Sequence, residues 1–142
     1  MSAGQADAGL VTYTRWIYGL HSLAVLMGVF GSGTIAGRFV FGLPSLLAVI
    51  MNYARRRAVR GTYLESHFRW QIRTFWTALL AMAITLLISA PLILLVGLGA
   101  YTAWAGFSLI GLWVVYRIVR GWLALRSAEA LPPPPPATAQ PT

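Results

Sequence analysis

Four long apolar segments follow one another along this chain, and short polar or glycine-rich stretches separate them. They cover residues 13–30, 39–54, 74–96 and 101–123. A helix needs about 20 apolar residues to cross the hydrocarbon core of a bilayer, which is about 30 Å thick. The pattern predicts an all-α integral membrane helical bundle of about four transmembrane helices, with a membrane domain over residues 13–126.

The second segment is short for a bilayer. About fifteen residues rise roughly 22 Å, against a core of roughly 30 Å. Extending the segment back to Ile35 restores the length but takes in Arg38, and an arginine near a helix end can snorkel to the headgroups. In the alternative, the first two segments form a short or re-entrant hairpin. Both versions return the chain to the same side of the membrane.

A polar stretch precedes the third segment, and it predicts an amphipathic interfacial helix over residues 63–73. Thr62 and Glu65 have the spacing of a capping box, in which each side chain would bond the other residue's backbone N–H. An apolar stripe follows at helical spacing, and Glu65 can pair with Arg69 four residues on. The stripe consists of Leu64, Phe68, Ile72 and Phe75. Arginine and aromatic residues on such a helix favour the membrane surface. A single helix that emerges from the membrane is the alternative.

The two ends of the chain differ from the membrane domain. Residues 1–12 predict a disordered segment, and residues 127–142 predict a disordered Pro-rich tail. The first apolar segment lacks a basic stretch before it and a clean small-residue cleavage site after it, so we expect it to be retained.

The distribution of arginine predicts the orientation of the chain in the membrane. The chain has 11 basic residues, all arginine, against 3 acidic ones. With both termini in the cytoplasm, ten of the eleven arginines lie on the cytoplasmic side and Arg38 alone lies outside, as the positive-inside rule predicts. This accounts for the basic excess without nucleic acid. The arginines assigned to anionic lipid headgroups are Arg55, Arg56, Arg57, Arg60, Arg117 and Arg120.

Few residues are candidates for chemistry. His21 lies within the first segment, where an ionisable group is a functional hypothesis, but the three acids lie outside the segments, so we favour a neutral imidazole bonded to a neighbouring helix. Glu65 and His67 are two residues apart and point about 160° away from each other on a helix. No catalytic, cofactor or metal residues are therefore assigned. The candidate interaction residues are Glu65, His67, Arg69, Trp70, Gln71, Arg73 and His21.

Small residues recur every fourth position in the third segment, at Thr77, Ala81, Thr85 and Ser89. Such stripes let helices approach closely. Ala24 and Gly28 of the first segment offer a partner for this stripe. Pro91 predicts a kink near the outer end of the helix.

The stretch "GTYLESHFRWQIRTFW" and the later "WVVYRIVRGWLAL" resemble a family of small bacterial integral membrane proteins of unknown function, distantly similar to the small Tic import component of the chloroplast inner envelope. The residues that carry the resemblance are Gly61, Thr62, Glu65, Ser66, His67, Arg69, Trp70, Gln71, Arg73, Tyr116, Arg117, Gly121 and Trp122. It implies a helical membrane protein over roughly residues 13–125 and no reaction.

The expected function is that of a non-enzymatic assembly, accessory or scaffold component of the bacterial inner membrane. It would act through helix contacts and a basic cytoplasmic surface, with anionic lipids and other membrane proteins or further copies of itself as partners. A small oligomeric translocation or transport subunit is the alternative. A membrane enzyme that uses His21 or His67 is a third hypothesis.

Overall fold

The computed structural model describes residues 5–31, 34–93, 95 and 97–131, which form helices and connecting turns without strands. The helices are α1 (Ala8–Phe30), α2 (Ile35–Phe41), α3 (Leu43–Arg55), α4 (Leu64–Ile93) and α5 (Leu98–Arg126). The prediction of an all-α protein is confirmed. α4 and α5 are each long and apolar enough to cross a membrane, and α2 and α3 reach that standard only when they are taken together.

The two longest helices, α4 and α5, form an antiparallel pair at the centre of the fold. Its two helices meet where side chains are small. A Cβ added to Gly106 would lie 3.0 Å from the Thr85 hydroxyl oxygen, and Thr102 donates a hydrogen bond of 3.0 Å to the Ser89 hydroxyl. The small-residue stripe of α4 therefore packs against α5. The predicted pairing of this stripe with Ala24 and Gly28 is wrong, because Gly28 contacts the start of α2 instead.

The chain enters α1 earlier than predicted. The carboxylate of Asp7 accepts a hydrogen bond of 3.1 Å from Gly9 N and caps the helix, since an aspartate satisfies one of the free N–H groups at a helix start. Residues 8–12, predicted as disordered, are thus the first turn and a half of α1.

The second predicted segment is two helices rather than one. The chain bends by 47° between α2 and α3. Gly42 lies at the bend and Pro44 stands in the first turn of α3, where the missing N–H of proline breaks no helical bond. α1 then runs antiparallel to α3, and the Tyr13 hydroxyl donates a hydrogen bond of 3.0 Å to the Met51 carbonyl.

α1, α2 and α3 pack against one half of the α4–α5 pair. Among the described residues, the buried positions of α4 lie between Leu64 and Met82 and those of α5 between Gly111 and Leu125, with the exceptions of Ser89 and Gly99. The other half exposes large apolar side chains to its surroundings. These include Ile84, Leu87, Ile88, Ile93, Leu98, Tyr101, Trp104 and Leu109.

α4 continues without a break through residue 73, so the predicted separate interfacial helix over residues 63–73 is wrong and the single-helix alternative is what the structure contains. Leu64, Phe68 and Phe75 are buried among the other helices. The apolar stripe therefore faces the protein core and not the lipid.

The start of α4 is stabilised differently from the predicted capping box. Glu65 accepts a hydrogen bond of 3.0 Å from Gly61 N, whereas the Thr62 hydroxyl donates backwards to the Val59 carbonyl at 2.8 Å. Gly61 has a φ of 77°, in the left-handed region that glycine adopts without strain. The turn before α4 is thus closed by Gly61 and Glu65 together.

After α5 the chain folds back over the start of α4. Ala128 has a φ of 52°, and Glu129 N donates a hydrogen bond of 2.9 Å to the Ala124 carbonyl, which together form a Schellman cap. Leu131 is then buried and donates from its N–H to Ser66 Oγ at 3.0 Å. Residues 127–131, which we call the C-terminal latch, are ordered, contrary to the predicted disorder from residue 127. The rest of that predicted tail lies outside the described residues.

Candidate functional site

Four buried polar side chains and a half-buried arginine join α1, α4 and α5, and we call Tyr18, His67, Gln71, Thr74 and Arg117 the polar centre. The Tyr18 hydroxyl lies 3.0 Å from His67 Nδ1, and His67 Nε2 lies 2.8 Å from the Glu129 carbonyl oxygen. A carbonyl can only accept, so Nε2 donates to it, and in a neutral imidazole Nδ1 then accepts from Tyr18. His67 therefore connects α1 to the C-terminal latch through α4.

Arg117 forms the second half of the polar centre. Its Nε donates a hydrogen bond of 2.8 Å to the Thr74 hydroxyl, and its Nη2 donates to the Trp70 carbonyl at 3.3 Å. The guanidinium carbon lies 3.2 Å from the centroid of the Trp70 ring, a stacked cation–π arrangement. Trp70 Nε1 in return donates to the Arg117 carbonyl at 3.0 Å. The guanidinium of Arg117, which was assigned to lipid headgroups, is thus engaged by α4.

His21 lies beside the polar centre. Its Nδ1 is 2.8 Å from Ser45 Oγ on α3, as the expected bond to a neighbouring helix requires. His21 Nε2 and the side-chain amide of Gln71 have no hydrogen-bond partner of good geometry among the described residues, although the Gln71 amide lies close to the Tyr18 hydroxyl. His21 and Gln71 both line an internal cavity of about 10 Å³, which has room for at most a single water molecule.

The chemistry open to the polar centre is limited by these partners. Tyr18, His67 and Arg117 each bond another helix or the latch, and the adjoining cavity measures about 10 Å³. Within the described ranges, His, Asp and Glu do not gather in groups of three, so these ranges offer no set of side chains for a metal ion. The arrangement serves to fix the mutual positions of α1, α4 and α5.

The second feature is the basic end of the molecule. Tyr13 of α1 bonds the end of α3 and lies under Arg55 at 5.7 Å from the ring centroid, while Trp70 of α4 contacts the last third of α5. These contacts gather one end of the bundle from the start of α1, the end of α3, the start of α4 and the end of α5. The arginines at this end are Arg15, Arg55, Arg56, Arg57, Arg60, Arg69, Arg73, Arg117, Arg120 and Arg126.

Four of these arginines surround a surface pocket of about 330 Å³, which we call the arginine pocket. They are Arg56 and Arg60, from the turn after α3, and Arg69 and Arg73, from the first turns of α4. Glu65 also lines the pocket. The predicted pairing of Glu65 with Arg69 does not occur among the described residues. The Glu65 carboxylate accepts a hydrogen bond from Gly61 N instead.

The structure thus divides the predicted interaction residues into two groups. His67, Trp70 and Gln71 face the bundle, with His21 close by, whereas Glu65, Arg69 and Arg73 face the arginine pocket. Arg120, assigned to headgroups, is exposed and donates to the Tyr116 hydroxyl at 2.6 Å. Arg57 is exposed outside the pocket.

Sequence reasoning identified His21 but missed the other buried polar residues of α1 and α3. Thr14, Tyr18 and His21 are all buried on α1, and their spacing of four and then three residues places them on one helical face. That spacing was a usable signal for a polar seam inside the bundle. Ser45 and Asn52 of α3 are buried as well, and they are seven residues apart, again on one face. Thr74 was missed because it was assigned to the start of a span.

Comparisons of this chain with protein families, with curated proteins and with solved structures found no match.

Proposed function

We propose that this protein is a non-enzymatic assembly or accessory component of a bacterial cytoplasmic membrane, which acts through helix contacts and a basic cytoplasmic surface. One observation carries the proposal. α1, α2 and α3 cover one half of the α4–α5 pair, and the other half keeps its large apolar side chains exposed. That half is free to contact lipid or the helices of another membrane protein.

Both termini lie in the cytoplasm in this proposal. The helix contacts gather ten of the eleven arginines at one end of the bundle, and arginine is retained on the cytoplasmic side during insertion. The arginine pocket and the C-terminal latch then face the cytoplasm together.

The first two segments form a re-entrant hairpin in this arrangement. α4 rises roughly 28 Å from Thr74 to Ile93, close to the roughly 30 Å of a hydrocarbon core. The start of α2 meets α5 at Gly111, where a Cβ would lie 3.0 Å from the Ile35 Cβ. The last core position of α4 before its exposed half is Met82, roughly 12 Å above Thr74. In this proposal the end of α1 and the start of α2 therefore lie inside the bilayer, and Arg38 does not reach the outer surface.

A structural role suits the polar centre better than a catalytic one. Its ionisable groups are engaged with other helices and the adjoining cavity has a volume of about 10 Å³. Membership of the small membrane protein family that the Gly61–Arg73 stretch resembles is part of the same proposal.

Photo-crosslinking in native membranes tests the role as an assembly component. A photoreactive amino acid replaces Trp104, which is 67% exposed in the half of α5 that α1, α2 and α3 leave uncovered. The matched control carries the same amino acid in place of Trp16, which is also 67% exposed but lies at the basic end. We expect a discrete protein adduct from position 104 at one defined mass. Adducts with lipid alone at position 104 would contradict the proposal.

Cysteine labelling tests the re-entrant hairpin, since the chain has no cysteine of its own. Phe30 at the end of α1 is 85% exposed, so a cysteine there is sterically open. We expect protection from an impermeant reagent added outside intact cells. Labelling from outside would mean that α1 spans the membrane. A reporter that is active only outside the cytoplasm, fused after the latch, should be silent.

A further inference from the structure

The arginine pocket lies at the surface, yet its floor is part of the hydrophobic core. Val59 and Phe68 are 0% and 1% exposed, and both line the pocket. Ile72 completes the apolar part of the wall. The arginine pocket has a volume of about 330 Å³, which is at the small end of the range for known ligand pockets, roughly 300–1,000 Å³.

The backbone around the pocket is held in place before any ligand arrives. Three successive turns bridge α3 and α4, with backbone hydrogen bonds of 3.0 Å from Ala58 to Arg55, 3.4 Å from Arg60 to Arg57 and 3.2 Å from Thr62 to Val59. Trp76 of α4 donates to the Tyr53 hydroxyl at 3.0 Å, which ties α4 to the end of α3 beside the pocket. A pre-organised site loses less conformational freedom on binding.

The charges of the pocket are unbalanced. Four guanidinium groups face one carboxylate, and that carboxylate already accepts from Gly61 N. Arg69 and Arg73 are four residues apart on α4, where like charges repel. Among the described residues, the side chains of Arg56, Arg60, Arg69 and Arg73 make no hydrogen bond or ion pair. A dianion in the pocket would remove this repulsion.

We propose that the arginine pocket binds a phosphate ester, with the phosphate held by Arg56, Arg60, Arg69 and Arg73 and the adjoining organic group against Phe68 and Ile72. Planar guanidinium groups match phosphate oxygens with paired hydrogen bonds. The apolar wall suits a phosphate that carries an organic group. Glu65 stands beside Gly61 and repels a ligand with a carboxylate at that edge.

Two sources supply this chemistry: the headgroup of an anionic lipid and a soluble phosphate ester. This inference deepens the proposed function and rests on it for the side of the membrane from which the ligand comes. The binding itself is measurable in detergent, where orientation has no meaning. A failed reporter or labelling experiment would therefore overturn the topology and leave the pocket untouched.

The test uses the full-length protein in a zwitterionic detergent and in phosphatidylcholine nanodiscs. In the first arm, inorganic phosphate and glycerol 3-phosphate are titrated at constant ionic strength, and thermal unfolding is followed by tryptophan fluorescence. In the second arm, phosphatidic acid is added to the nanodiscs and bound lipid is counted by native mass spectrometry. The pocket variant is Arg69→Gln with Arg73→Gln. The matched control is Arg15→Gln with Arg126→Gln, which removes the same charge from exposed positions outside the pocket.

We expect the wild type and the control to bind with affinities within about twofold of each other, and the pocket variant to bind about tenfold or more weakly, which corresponds to about 1.4 kcal/mol. If the pocket variant does not fold, Arg56→Gln with Arg60→Gln takes its place, because both residues lie on the exposed turn. Binding in the lipid arm alone identifies a headgroup, and binding in the soluble arm identifies a free ester. An equal loss in the control, or no binding in either arm, would overturn the proposal.

Discussion

Gly121 offers a sharp test of how α1 and α5 fit together. A Cβ at this position would overlap the Tyr18 ring, since it would lie 2.6 Å from Cε1 and 2.8 Å from Cζ. Tyr18 is 1% exposed and its hydroxyl bonds His67, so the ring is enclosed and cannot turn out to solvent. Replacement of Gly121 by alanine must therefore displace either Tyr18 or α5.

The size of the effect follows from three contributions. Overpacking a filled core destabilises by about 1–3 kcal/mol. A displaced Tyr18 hydroxyl leaves the buried His67 Nδ1 without its donor, which adds about 1–3 kcal/mol. Alanine in place of glycine stabilises a helix interior by about 1 kcal/mol. We expect Gly121→Ala to lower the free energy of unfolding by about 3 kcal/mol.

Gly19 provides the control, because it also lies inside a helix and a Cβ there would meet nothing within 4 Å. Gly19→Ala should be neutral or stabilising by up to about 1 kcal/mol. Both variants are unfolded reversibly with SDS in mixed micelles and followed by circular dichroism. Tyr18→Ala combined with Gly121→Ala should lose most of the penalty of the second change, because the ring is gone. Equal stability of the two glycine variants would refute the packing of Tyr18 against Gly121.

Three further changes are checked by the same titration. Ala128→Gly should raise the free energy of unfolding by about 1 kcal/mol, because alanine is strained at a φ of 52°; a loss would contradict the Schellman cap. Arg117→Lys should lower the free energy of unfolding by about 1–2 kcal/mol, because an ammonium group lacks the planar guanidinium that stacks on Trp70 while its Nε bonds Thr74. No change would mean that the stack contributes nothing. His21→Gln should change it by less than about 1 kcal/mol, since the amide keeps a donor and an acceptor for Ser45; a larger loss would assign His21 more than a bridge.

The sequence was informative about the helices and the charged end because those signals are local. Apolar length predicted α4 and α5, and arginine spacing predicted a basic end whose parts the fold then brings together. The bond from His21 to another helix also followed from chemistry alone, because an ionisable group among apolar residues needs a partner.

The direction in which an apolar face points did not follow from the sequence. Phe68 and Phe75 have the same hydrophobicity whether they face lipid or protein, so the stripe of α4 was assigned to the membrane surface although it is buried. The sequence left two alternatives open for the first two segments for the same reason, since a segment that stops inside a bilayer and one that crosses it are both apolar. The C-terminal latch depends on one apolar residue, Leu131, which carries no periodic signal.

The C-terminal latch also has a consequence for biosynthesis. Tyr18 is synthesised 49 residues before His67, and Ser66 is synthesised 65 residues before Leu131. The hydroxyl of Tyr18 must wait for α4 to leave the ribosome, and His67 must wait for Glu129. A chain that stops a few residues short of Leu131 would have all five helices but would leave Ser66 and His67 without their final partners. The partners of His67 and Ser66 therefore emerge only when residues 129–131 have been synthesised, and a chain truncated before them exposes polar groups of α4 that quality control can detect.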